Sequence, residues 1–98
     1  MTFLDNYEIK SIENKIKDVL KVFNFKEVIV NDVIIYEYKD QYYKLTYVGD
    51  LKAFVIESAK NYNDAVMNVY EDSDLYPLAL GRNNLIEQVR TDLKKYYL

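Results

Sequence analysis

Between Phe25 and Ser58 four strand-like runs, FKEVIV, VIIYEYK, YYKLTYV and LKAFVIES, are separated only by Asn31-Asp32, Asp40-Gln41 and Gly49-Asp50. The runs are rich in Val, Ile, Tyr and Phe, and two-residue polar links between such runs predict hairpins. The expected product is a four-stranded antiparallel meander. With two-residue turns, Glu37 stands opposite Lys26 across one hairpin and Lys44 across the next. Such an opposite-charge row is what cross-strand pairing favours. The same register sets Leu45 opposite Tyr36 and Phe54, and aligns Phe25, Tyr38, Tyr43 and Ile56.

Alternation then divides the sheet into two faces. One carries Phe25, Ile29, Ile34, Tyr36, Tyr38, Tyr43, Leu45, Phe54 and Ile56. Its larger side chains mark it as the core face. The other carries Val28, Val30, Val33, Ile35, Val48, Leu51, Ala53 and Val55, with the charged row at one end. It is too apolar to stand fully in water. A covering helix is the favoured reading, and an interface, including a homodimer through Val33, Val48 and Leu51, is the other.

Helical spacing flanks the meander. In residues 3–23, Ile12, Ile16, Val19, Leu20 and Phe23 fall on one face, with Lys15, Lys17 and Lys21 towards the C-terminal end and Asn24 as the stop. Thr2 with Asp5 makes a capping box at its start, unless Asp5 or Asn6 caps instead. In residues 61–72, Tyr62, Ala65, Val66, Val69 and Tyr70 share a face behind an Asn61 cap. Residues 82–97 form the last helix, with Leu85, Ile86, Val89, Leu93 and Tyr96 inward and Lys94 and Lys95 near its end. The predicted fold class is therefore α+β: an N-terminal helix, a four-stranded antiparallel meander, then two C-terminal helices, as one domain over 1–98.

Composition narrows the chemistry. The 98 residues contain no Cys and no His, which removes disulfides, Ser-His-Asp and Cys-His catalysis and most transition-metal sites. No catalytic set and no cofactor is expected. No run approaches the roughly 18 apolar residues of a membrane span, and MTFLDNYEIK carries no secretion-signal pattern. A cytoplasmic protein that does not engage a membrane is expected. The net charge of −3 lacks the basic footprint of a nucleic-acid binder. The eleven Tyr, with no Trp, are amphipathic side chains enriched at interfaces.

Charge concentrates in one place. Residues 57–87 hold six acids against Lys60 and Arg82, a net of −4. Glu71, Asp72 and Asp74 lie at the expected C-terminal end of the second helix, where the macrodipole disfavours them. A solvated surface explains them without a role, and capture of a basic partner explains them with one. Calcium does not: in an EF-hand loop counted from Asp72, the Gly position is Pro77. Tyr76 is biased away from helix by Pro77. It is either packed or an exposed anchor, while Leu75, Leu78 and Leu80 are expected to dock into the core. Gly81 opens the final helix or adopts a conformation other residues resist.

The segment FVIESAKNYNDAVMNVYEDSDLYPLALGRNNLIEQVRTDL, Phe54 to Leu93, resembles the C-terminal part of small immunity proteins from bacterial polymorphic-toxin systems. The shared pattern is a strand ending in an acid, an Asn/Ser-Tyr helix start, an acidic EDSDLYPL loop, Gly and a final helix. The resemblance implies a small cytoplasmic protein that binds a cognate toxin domain, often a nuclease, and blocks its active site or substrate path. With that reading, the acidic, Tyr-bearing stretch supplies the expected partner contacts, Glu71, Asp72, Asp74 and Tyr76, and neither enzymatic activity nor a metal is expected.

Overall fold

The computed structural model describes residues 6–97, without the side chains of Asn6, Asp72, Ser73, Tyr96 and Tyr97. Helix α1 spans Asn6–Val22, and strands β1 to β4 span Lys26–Val30, Val33–Tyr38, Gln41–Val48 and Ala53–Ala59. A five-residue helix α2, Tyr62–Val66, precedes a further strand β5, Glu71–Pro77, and helix α3, Arg82–Tyr97, ends the fold. Short 3-10 turns at Gly49–Leu51 and Leu78–Leu80 lead into β4 and α3. The α+β class and the antiparallel meander hold, but the sheet has five strands, in the order β1-β2-β3-β4-β5.

Helix α1 follows its periodicity. Ile12, Ile16, Val19 and Leu20 are buried. Asn24, at φ 69°, ends the helix. The Asn24 and Phe25 amides donate back to the carbonyls of Lys21 and Leu20, both at 3.0 Å, which satisfies two otherwise orphaned acceptors. The caps expected at Thr2 and Asp5 lie outside the described residues. Helix α3 buries Leu85, Val89 and Leu93. Both helices cover one face of the sheet, where Phe25, Tyr36, Tyr43, Phe54, Ile56 and Tyr76 complete the core.

The register matches expectation at the first turn and departs at the next two. Asn31 and Asp32 both take positive φ, the geometry of a two-residue hairpin turn, and Lys26 pairs with Glu37. Phe25 stacks on Tyr38 with ring centroids 4.5 Å apart. The second turn uses Lys39-Asp40, not Asp40-Gln41, so Tyr36 stands opposite Tyr43 and Glu37 opposite Tyr42. Asp40 belongs to either turn; in the one observed, Lys39 takes the left-handed conformation beside it and the Asp40 amide donates to Glu37 Oε2 at 3.1 Å, closing the turn. The third connection spans Gly49 to Lys52, so Val48 pairs with Ala53 and Leu45 with Ile56. Lys44 therefore stands opposite Glu57 in place of Glu37. Both partner shifts are by two residues, an even number, so each side chain keeps its face.

Two core assignments fail. Ile29 and Ile34, paired across the β1–β2 hairpin, are 72% and 52% exposed. That end of the hairpin lies beyond the helical layer.

The stretch 61–72 is where the expected architecture breaks. Asn61 caps as predicted, its Oδ1 accepting from the Asp64 amide at 2.8 Å. Helix α2 then stops after Val66, because Asn68 turns left-handed at φ 58°. The Asn68 and Val69 amides donate to the carbonyls of Ala65 and Asp64, closing the helix end. The chain straightens and EDSDLYP becomes a strand. Helix α2 covers one end of the second sheet face, where Ala65 packs with Val30, Ile35 and Ala59. Leu51 and Leu75 stay exposed elsewhere on the molecule.

Candidate functional site

All four candidate contact residues lie on β5. They do not form a helix end: among the described residues β5 pairs only with β4, which puts them on the edge strand of the sheet. From Ala53/Pro77 to Ile56/Asp74 the ladder is regular, and it then slips so that Glu57 pairs with Asp72 and Ser58 with Glu71. Ser73 is the extra residue of this bulge. A bulge and a run of charge are two of the devices by which an exposed edge avoids pairing with a copy of itself. This gives the acids a physical reason that helix electrostatics lacked.

The four residues have different surroundings. Glu71 is exposed and pairs with Lys60 at 3.2 Å, both largely in water, so the pair adds little stability. Asp72 occupies the register position opposite Glu57, a like-charge pairing that a sheet tolerates at some cost. Asp74 is half-buried on the helical side of the strand. Burial, then the neighbouring Asp92 charge, push its carboxyl above the usual carboxylate range, an effect that the nearby Tyr76 hydroxyl opposes.

Tyr76 is packed, not presented: its residue is 1% exposed. Its ring lies in the core and its hydroxyl donates to Asp92 Oδ2 of α3 at 2.9 Å. Gln88 Nε2 donates to the other Asp92 oxygen at 3.0 Å. Tyr76 therefore clasps the edge strand to α3 and holds Asp74 in place. The expected docking of Leu75 and Leu80 does not occur, Leu75 being 53% exposed, while Leu78 packs on the core. Gly81 has φ 84° and ψ 152°, and its carbonyl accepts the Leu85 amide at 2.9 Å, so it opens α3.

Sequence reasoning missed Asp92 and Gln88. Both sit one helical turn apart on α3, a spacing that places them on one side of the helix. Nothing in the sequence ties that side to Tyr76. Among the described residues, no group of three or more acids is arranged to hold a metal ion, and no helix is long and apolar enough to cross a membrane. No family model matches the chain, and no curated protein and no solved structure is significantly similar to it.

Proposed function

We propose that the chain is a non-enzymatic inhibitor of a cognate bacterial toxin domain, acting in the cytoplasm by covering the toxin's active site or substrate path. The observation that carries the reading is the acidic free edge of β5, backed by the likeness of residues 54–93 to immunity proteins. An edge strand offers a row of backbone donors and acceptors to a partner. Glu71 and Asp72 make that row attractive to a basic surface, such as a nuclease cleft, and repulsive to a second copy of itself. Asp74 and Tyr76 serve from behind, by holding the strand on α3.

The test is co-expression with the toxin domain encoded beside this chain, scored by growth and then by co-purification. Wild type rescues growth and yields a one-to-one complex. Glu71→Lys with Asp72→Lys, both on the outer strand, weakens the complex by roughly 30-fold or more, the scale of a charged hot spot. A soluble, folded wild type that neither rescues nor co-purifies overturns the function. A charge-reversed variant that binds as tightly as wild type overturns the surface.

A second reading rests on exposed Val33 and half-buried Val48 of the sheet, with Leu51 exposed in the 3-10 turn that follows β3. In that reading the chain is a homodimeric binding domain. Light scattering then shows a dimer that Val48→Lys dissociates, and a wild-type monomer at high concentration rejects it.

A further inference from the structure

The β2–β3 ladder is short. It runs only from Tyr36/Tyr43 to Tyr38/Gln41, whereas β3 stays paired with β4 as far as Val48. Past Tyr36 the β1–β2 hairpin leaves β3, and helix α2 spans the gap, tied to the hairpin turn by Asn31 Nδ2 donating to the Val66 carbonyl at 2.7 Å. A cleft of about 330 Å³ opens there. That is at the small end of the roughly 300–1,000 Å³ typical of ligand sites. Val30, Ile35 and Ala65 are buried residues in its wall, and Val33 stands exposed at its rim.

Four polar residues, Asn31, Lys44, Asn68 and Tyr70, line the cleft beside this apolar floor. Lys44 Nζ lies 5.3 Å from the centre of the Tyr70 ring, and both residues line the cleft. Glu57 stands opposite Lys44 in the ladder, yet among the described residues no ion pair joins Lys44 to a carboxylate. Burial, then the nearby Glu57 charge, raise the Tyr70 phenol. Asn68, exposed at the end of α2, also lines the cleft and carries an amide group able to donate a hydrogen bond. A few placed polar groups over an apolar floor are the usual composition of a small-molecule site.

We propose that this cleft binds a small apolar monocarboxylate, with the carboxylate on Lys44 and Asn68 and the hydrocarbon body against Val30, Ile35 and Ala65. Charge complementarity selects the anion, since an ammonium that lacks a carboxylate partner gains a charge-assisted hydrogen bond on binding. Size selects the body. At roughly 30 Å³ per water-sized group, the cleft takes about eleven non-hydrogen atoms at most, which suits a chain of six to eight carbons. The site is remote in role from the β5 edge and goes beyond the toxin-binding reading.

The experiment is a titration of the full chain with octanoate, followed by amide and side-chain NMR, with octanamide and octylamine as probes of equal length and different charge. Saturable shifts centred on Lys44, Ala65, Asn68 and Tyr70 are expected. Octanamide and octylamine should bind at least about tenfold more weakly. Lys44→Met should lose octanoate by a similar factor, and Lys44→Arg should keep it. Should Lys44→Met fail to fold, Val33→Trp serves, because Val33 is exposed at the rim and the larger ring closes the mouth. Shifts scattered over the surface, equal binding of the three probes, or unchanged binding in a folded Lys44→Met or Val33→Trp variant would overturn the site.

Discussion

Replacing Tyr76 by Phe removes one oxygen and tests how the edge strand is held. The Tyr76 hydroxyl donates to Asp92 Oδ2 at 2.9 Å from a residue that is almost wholly buried. A hydrogen bond to a charged group contributes about 1.5–3 kcal/mol. Asp92 is half-buried and keeps Gln88, so the lower part of that range applies, about 1.5–2 kcal/mol. For a domain near 100 residues, each kcal/mol moves the melting temperature by about 4–8 °C, giving a fall of about 6–16 °C. Tyr36→Phe is the matched control. Its hydroxyl is equally buried and has no hydrogen-bond partner among the described residues. Burial, then the charges of Glu27, Glu13 and Asp18, push that phenol up to about 12. Deleting a buried polar group without a partner costs nothing and removes a desolvation penalty, so Tyr36→Phe should be neutral or stabilising. Thermal and urea melts of both variants at neutral pH give the comparison. Hydrogen exchange should also show faster exchange of the β5 amides in Tyr76→Phe alone. Equal losses in the two variants, or a Tyr76→Phe melt within about 2 °C of wild type, would refute the clasp.

Three further outcomes follow from the same geometry. Asp74 is raised in the folded state, so its ionised form is disfavoured there; stability rises as pH falls from neutral through its folded pKa and levels off below the unfolded value. Asp74→Asn should accordingly be more stable than wild type near neutral pH, with the advantage vanishing in acid melts. Gly81→Ala should cost about 1–3 kcal/mol in denaturant titrations, because φ 84° with ψ 152° is a backbone region essentially restricted to glycine, although there is open space for the added methyl. Asn68→Ala should destabilise by about 1 kcal/mol while Asn68→Gly leaves the urea midpoint nearly unchanged, since the position needs a left-handed residue to end α2.

Helix α1, helix α3, the Asn31-Asp32 turn and the two-sidedness of the first four strands were legible in the residues. Each depends on neighbours in the chain: a 3.6 or 2.0 period, an Asn that tolerates positive φ, a cation near a helix end. Local periodicity states which side a residue takes and says nothing about which residue it will face. That is why the pairings of Tyr36 and Leu45 moved by two positions while their faces stayed correct, and why Ile29 and Ile34 alternate as core residues yet lie beyond the helices that make the core.

The β5 strand was illegible for a related reason. Three acids and a proline in seven residues are a poor strand by propensity, and Tyr62, Ala65, Val66, Val69 and Tyr70 share a helical face that a single left-handed Asn interrupts. An edge strand needs only one paired side and benefits from charge on the other, so the sheet accepts what propensity rejects. The acidic character of 71–74 was determined by sequence alone. Its display along a free edge, the burial of Tyr76 against Asp92, and the cleft beside Lys44 were decided by tertiary structure, because each joins residues far apart in the chain whose meeting depends on how the layers pack.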